Sequence, residues 1–83
     1  MFNKVQDVKP LPDCRLSVSF LNGEKRVYDV KPLFAKWDSF NTLKIVKGLF
    51  EQVKVDQGGY GISWNDELDL ACDELYYNGL TVN

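Results

Sequence analysis

Histidine is absent from all 83 residues of the chain. Because histidine is the commonest general base and metal ligand near neutral pH, the chain cannot build a Ser-His-Asp or Cys-His site from its own residues. Cysteine is scarce: Cys14 and Cys72 are far apart and fall short of the four ligands of a usual zinc site. We predict no catalytic residues, no metal and no cofactor. A disulfide is arithmetically open, but two reduced, partly buried thiols are favoured.

Long apolar runs and targeting signals are also missing. No stretch approaches the roughly 20 apolar residues of a membrane span, and the N-terminus lacks a basic-then-apolar signal pattern. These absences predict a cytoplasmic protein without membrane contact. Apolar residues still make up 45% of the chain, which separates it from disordered proteins. The length predicts a single domain over residues 1–83.

Basic residues are absent from the last third of the chain. Residues 56–83 carry six acidic residues and no Lys or Arg, a net charge of −6, whereas residues 1–55 carry ten basic residues against six acidic ones, a net of +4. Such an asymmetry can mark an interaction face. The alternative is a solvated loop and helix rim, since most charged residues are simply exposed.

Alternating polarity in the first half predicts antiparallel strands. Val5–Leu11 is extended and is limited by its prolines to a sheet edge or strand end. Arg15–Phe20 alternates with period two, which predicts one buried face. Asn22-Gly23 predicts a type I′ hairpin turn. The return strand, residues 24–30, has two faces that periodicity does not rank.

The second half combines short helices with another hairpin. The predicted helical segments are 31–37, 45–52 and 70–77. A hairpin over residues 53–64 turns at Gly58 and Gly59, the last helix ends at a left-handed Gly79, and residues 81–83 are a frayed tail. The predicted fold class is α+β: a small domain of two β-hairpins with short helices, including a C-terminal one.

Two motifs superficially resemble ligand-binding loops, but their context or spacing does not fit. Residues 58–61 superficially resemble a glycine-rich phosphate loop, but they connect two predicted strands, so no helix N-terminus is available for an anion. The acidic residues from Asp66 to Asp73 fail the calcium-loop spacing. Charge near a helix N-terminus is the simpler interpretation, with Asp69 and Asp73 beside the positive end of the dipole.

Several motifs follow one another along nearly the whole chain. They are Val8-Lys9-Pro10-Leu11-Pro12, Leu16-Ser17-Val18-Ser19-Phe20 with Asn22-Gly23-Glu24, Tyr28-Asp29-Val30-Lys31-Pro32-Leu33, Phe50-Glu51-Gln52-Val53, Gly61-Ile62-Ser63-Trp64-Asn65-Asp66-Glu67-Leu68-Asp69-Leu70 and Asp73-Glu74-Leu75-Tyr76. In this order they resemble the bacterial domain-of-unknown-function family 2442. The resemblance implies a small α+β protein without enzymatic activity. It also implies an antitoxin-like or partner-binding role, because some members are encoded beside a second small protein.

The sequence departs from the family pattern in two places. The family usually has Ser or Thr three residues before the Glu of Glu-Leu-Tyr, as in a capping box. Here that residue is Ala71, so the hydroxyl cap is missing, and Asp69 is a candidate substitute. Some members are fused to a helix-turn-helix domain; none is visible in these 83 residues, so nucleic-acid binding by fusion is not carried over.

We therefore predict a non-enzymatic protein that binds a protein partner, the product of a neighbouring gene. The candidate contact residues are Trp64, Asp66, Glu67, Asp69, Asp73, Glu74 and Tyr77. Three alternatives stay open: a regulatory module that contacts nucleic acid through residues 9–36, a small-molecule site in an aromatic pocket, and a homodimer formed through an exposed edge strand.

Overall fold

The computed structural model describes residues 3–82 as two antiparallel sheets with short helices. The strands are β1 (Val5–Leu11), β2 (Arg15–Phe20), β3 (Lys25–Asp29), β4 (Lys54–Val55), β5 (Gly61–Ser63), β6 (Asp69–Ala71) and β7 (Leu80–Thr81). The helices are α1 (Lys31–Lys36), α2 (Thr42–Ile45) and α3 (Cys72–Asn78), and single 3₁₀ turns span Asp38–Asn41, Phe50–Gln52 and Gln57–Gly59. The predicted α+β class is confirmed.

The first sheet has the strand order β1-β2-β3-β7. β1 lies at its edge, as its prolines predict. The apolar residues of β2 form one buried face, which confirms the period-two interpretation; they are Leu16, Val18 and Phe20. On β3 the structure decides what periodicity left open, because Tyr28 and Val30 are buried. The same register leaves Arg15, Ser17 and Lys25 on the opposite, outer face.

The turn between β2 and β3 is not the predicted type I′ turn. Gly23 has a φ of 93°, but Asn22 does not share the positive φ that a type I′ turn needs. The Gly23 N–H donates to the Phe20 carbonyl at 3.0 Å, and the Phe20 N–H donates to the Glu24 carbonyl at 2.9 Å. This closes a longer loop with a bulge. The Asn22 side-chain oxygen accepts the Glu24 N–H at 2.9 Å, and this local bond favours the observed turn.

The second sheet has the strand order β4-β5-β6. The hairpin predicted over residues 53–64 is confirmed as β4 and β5, but a third strand follows it. Leu70 pairs with Ile62 in β6, so the prediction of a helix from residue 70 is wrong at its start. Pairing with β5 buries Leu70 to 5% exposure and overrides the local helical pattern. α3 begins at Cys72.

The C-terminal residues are ordered by the first sheet. Gly79 has a φ of −82°, so the predicted left-handed helix cap is wrong. The chain instead leaves α3 in an extended conformation, and Leu80 pairs with Val27 to form β7. The predicted fraying is therefore wrong for Thr81, while Asn83 lies outside the described residues. A Cβ on Gly79 would lie 2.5 Å from the Leu75 carbonyl oxygen, which explains the glycine at this junction.

The middle of the chain crosses between the sheets as short helical turns. α1 carries its proline in the first turn, as predicted. In the predicted helix over 45–52, Ile45 ends α2 and Phe50–Gln52 forms a 3₁₀ turn, whereas Gly48 between them adopts a φ of 85° and interrupts the helix. Both cysteines are free, with Cys72 buried and Cys14 half-buried, in agreement with the predicted thiols. Within residues 3–82, no helix is long and apolar enough to cross a bilayer.

Candidate protein-binding surface

One asparagine side chain shapes the loop between β5 and β6. The Asn65 Oδ1 accepts the backbone N–H groups of Glu67 and Leu68, both at 2.9 Å. The Trp64 N–H also donates to the Leu68 carbonyl at 2.9 Å. These bonds hold the backbone of the loop in one conformation, and the side chains of Asp66 and Glu67 are exposed at its tip.

Trp64, one of the predicted contact residues, lies beneath this loop. Its side chain is only 3% exposed. The indole Nε1 donates to the Phe50 carbonyl at 3.0 Å, and the ring packs against Phe50 and Phe40, with both centroids 6.1 Å away. Trp64 therefore anchors the acidic loop to the core. Phe40 and Phe50 are likewise used for packing in the core.

The exposed acidic residues between Trp64 and Ala71 form no ion pair within the part of the chain that the structure describes. Asp66, Glu67 and Asp69 take part in none of the ion pairs found among residues 3–82. Asp69 lies on β6, where the alternation of the strand turns Leu70 inward and leaves Asp69 and Ala71 exposed. We name Asp66, Glu67 and Asp69 the acidic edge.

The predicted contact residues on α3 point in different directions. The Asp73 carboxylate accepts the Asn3 N–H at 3.4 Å, on the side of the N-terminal strand. The Glu74 carboxylate accepts the Tyr28 hydroxyl at 2.8 Å, on the side of β3. Tyr77 is 68% exposed further along the helix. The structure thus separates three residues that are nearly adjacent in sequence, and only Glu74 lies with Asp69, around one cavity.

The beginning of α3 matches the predicted loss of a cap. Ala71 occupies the N-cap position and makes no side-chain capping bond. The suggestion that Asp69 substitutes for the missing hydroxyl is wrong, because Asp69 belongs to β6 and no capping bond from it is present among residues 3–82. Asp73 and Glu74 are the acidic residues of the first helical turn, where they interact favourably with the helix dipole.

A cavity of about 200 Å³ lies beside β6. Its apolar lining comes from Leu33, Leu70 and the half-exposed Trp37, and its polar rim is formed by Lys36, Asp69 and Glu74. The Lys36 ammonium lies 5.0 Å from the centre of the Trp37 ring. The sequence alone does not identify Trp37 as a site residue, because no local pattern connects α1 with β6.

Burial and charge perturb two groups near this surface. Burial, followed by the neighbouring Glu74 carboxylate, raises the pKa of Tyr28 well above its usual value. Burial and the Asp73 carboxylate raise the pKa of the Cys72 thiol, so the thiolate needed for nucleophilic chemistry is disfavoured. Among residues 3–82, no group of three or more His, Cys, Asp or Glu side chains is placed to hold a metal ion.

The cations considered for nucleic-acid binding are divided among several contacts. The Lys31 ammonium lies 3.0 Å from an Asp13 carboxylate oxygen and 3.1 Å from one of Asp29. Arg26 pairs with Glu24 at 3.1 Å and covers the Tyr76 ring at 4.0 Å. Lys31 and Arg26 are engaged in ion pairs and a ring contact within the domain. They do not form a continuous basic strip for phosphates.

These features define a small α+β domain in which unpaired acidic residues border one end of a three-stranded sheet. The family model described as "Protein of unknown function (DUF2442)" matches residues 5–81. The chain belongs to this family, which confirms the resemblance noted in its motifs. No curated protein and no solved structure matches the chain.

Proposed function

We propose that the protein is a non-enzymatic binding module whose acidic edge contacts a basic surface of a partner protein. The observation that carries this proposal is that Asp66, Glu67 and Asp69 are exposed and form no ion pair with any residue from 3 to 82. Asn65 already holds the backbone of the loop at residues 67 and 68. A loop fixed before binding loses little conformational entropy when a partner docks. The absence of histidine from the sequence supports a role without catalysis.

The charge distribution supports a basic partner. All charged residues of the segment 56–83 are acidic. The electrostatic field of this segment therefore attracts cations and repels nucleic acid. Charges at the rim of an interface act mainly through the association rate and partner choice. Binding is therefore expected to weaken as salt rises, because salt screens exposed charges.

The class of partner is suggested by the gene neighbourhood that the family resemblance implies. We propose an antitoxin-like relationship in which the product of a neighbouring gene is the cognate partner. We include Asp73, Glu74 and Tyr77 of α3 in the proposed contact surface. Asp73 and Tyr77 would contact a partner only if it extends along α3 beyond the acidic edge. Trp64 supports this surface indirectly, because its hydrogen bond to the Phe50 carbonyl anchors the loop to the core.

The test is calorimetric titration of the purified protein with the product of the neighbouring gene. The variant Asp66→Lys/Asp69→Lys reverses the charge of the acidic edge, and Asp7→Lys reverses an exposed charge on β1, a strand of the other sheet. We expect the first variant to weaken binding by tenfold or more, which corresponds to a loss of about 1.4 kcal/mol in binding free energy. The second variant should change the affinity little. Equal affinities for all three proteins, or no binding by the unaltered protein, would overturn the proposal.

A further inference from the structure

The outer edge of β6 has backbone groups without hydrogen-bond partners among the described residues. In the second sheet the Cys72 N–H donates to the Tyr60 carbonyl, and the Trp64 N–H donates to the Leu68 carbonyl. The Leu68 carbonyl and the Cys72 N–H therefore point toward β5, as do the backbone groups of Leu70, which pairs with Ile62. The alternation of the strand turns the backbone groups of Asp69 and Ala71 away from β5. Within residues 3–82, no backbone or side-chain group accepts the N–H of Asp69 or of Ala71.

The cavity beside β6 lies along this open edge. Asp69, Leu70 and Ala71 of β6 all contribute to its wall, together with Leu33 and Trp37. The space of about 200 Å³ is sufficient for one aliphatic side chain. An exposed edge with an adjacent apolar pocket is the arrangement by which domains bind extended peptides as an added strand.

The charges around the edge select the composition of such a peptide. Residues of an added strand alternate between the two faces of the sheet. A residue opposite Leu70 would enter the apolar cavity, whereas residues opposite Asp69 would lie beside the acidic edge. Lys36 is the single cation among the described residues that line the cavity, against the carboxylates of Asp69 and Glu74. The favoured segment therefore alternates basic and apolar residues.

We propose that β6 binds an extended basic-apolar segment of the partner as an additional antiparallel strand. This inference rests on the proposed function, since it specifies how the partner engages the acidic edge. The Asp69 N–H and carbonyl and the Ala71 N–H form the new backbone hydrogen bonds. An aliphatic side chain fills the cavity beside Trp37, and flanking basic side chains pair with Asp66, Glu67 and Asp69.

Ala71 permits a substitution that tests the backbone contribution directly. Its φ of −71° and ψ of 152° suit proline, and its N–H has no partner within residues 3–82. Leu70 before it is in an extended strand, as a residue preceding proline prefers. Ala71→Pro therefore removes the outward donor while retaining the fold, and Ala71→Ser is the matched control that keeps the N–H.

The experiment uses a blocked hexapeptide of alternating arginine and valine, with a glutamate-valine hexapeptide as its charge control. We expect the arginine peptide to bind the full chain and to slow hydrogen exchange at the Asp69 and Ala71 amides. Ala71→Pro should weaken this binding about tenfold or more, because one backbone hydrogen bond is lost and the peptide can no longer approach the strand closely. The circular dichroism and melting temperature of this variant should be those of the unaltered protein. Ala71→Ser should bind as the unaltered protein does.

The outcomes separate this inference from the proposed function. Failure of the arginine peptide to bind, or equal binding by Ala71→Pro, overturns strand addition, and so does equal binding of the glutamate peptide. Hydrogen exchange at the Asp69 and Ala71 amides could also slow with rising protein concentration in the absence of peptide. That result would overturn the inference, because it would show that a second copy of the chain binds at this edge. If the neighbouring gene product still binds and depends on Asp66 and Asp69, the proposed function stands without strand addition.

Discussion

The Tyr28 hydroxyl donates a 2.8 Å hydrogen bond to the Glu74 carboxylate, which joins β3 to α3. The two residues are 46 positions apart, so this contact exists only after the first sheet and the C-terminal helix have packed. Tyr28 is 4% exposed, whereas Glu74 also reaches the rim of the cavity beside β6. The bond thus connects the core to the proposed binding surface.

Removal of the Tyr28 hydroxyl should change the stability of the protein at alkaline pH. Burial and Glu74 raise the pKa of Tyr28 above its unfolded value of about 10. The corresponding stabilisation is complete below about pH 10 and is lost as pH rises toward the folded pKa. We expect urea midpoints to fall above about pH 10, and to fall less steeply in Tyr28→Phe. Tyr77→Phe, at a 68% exposed position, should keep the original slope; the same slope in all three proteins would contradict the prediction.

Restoration of the missing helix cap should stabilise the protein. Ala71 is the N-cap residue of α3 and makes no capping bond. In Ala71→Ser the hydroxyl can accept a backbone N–H of the first turn, and we expect a gain of about 1 kcal/mol in the free energy of unfolding. The control is Ala35→Ser, the same change at an exposed position within α1, which should cost a few tenths of a kcal/mol. Denaturant titration measures both, and a gain confined to Ala35→Ser would refute the assignment of the cap.

Two glycines with similar φ angles should respond differently to alanine. Gly59 has a φ of 79°, and a Cβ there would lie 2.6 Å from the Val5 carbonyl oxygen. Gly48 has a φ of 85°, with nothing within 4 Å of a Cβ. We expect Gly48→Ala to cost about 1 kcal/mol from backbone strain alone. Gly59→Ala should cost at least about 1 kcal/mol more, because β1 must move. Equal melting temperatures for the two variants would show that the approach of residue 59 to β1 is not a constraint.

The role of Trp64 as an anchor predicts a stability effect that an exposed tryptophan does not share. Trp64→Phe leaves the Phe50 carbonyl without its 3.0 Å hydrogen bond and opens space in the core. We expect a cost of about 2–4 kcal/mol from the unpaired carbonyl and the lost packing. Trp37→Phe, at 48% exposure, should cost under about 1 kcal/mol. Thermal unfolding followed by circular dichroism distinguishes them, and the reverse order would place Trp64 outside the core.

Much of the first sheet could be predicted from local patterns. The alternation in Arg15–Phe20 identifies a half-buried strand, and the prolines confine Val5–Leu11 to an edge. Local patterns also predict a C-terminal helix, although its predicted start at residue 70 is wrong, and the resemblance to the family identifies the missing cap at Ala71. The charge asymmetry, together with the family resemblance, predicts Asp66, Glu67 and Asp69 as contact residues. For the strands and the helix, the determining interaction is within a few residues along the chain.

The tertiary structure decided the features that depend on distant pairing. Residues 69–71 form β6 because Leu70 pairs with Ile62, and Thr81 forms part of β7 because it pairs with Arg26. Segments of two or three residues are too short for periodicity to distinguish strand, helix and tail. The open edge of β6 and its cavity arise from the same pairing. The sequence by itself determined which residues are acidic, apolar and locally extended. Only packing determined which of their backbone groups remain available for a partner, because each hydrogen bond within a sheet depends on where its neighbouring strand lies.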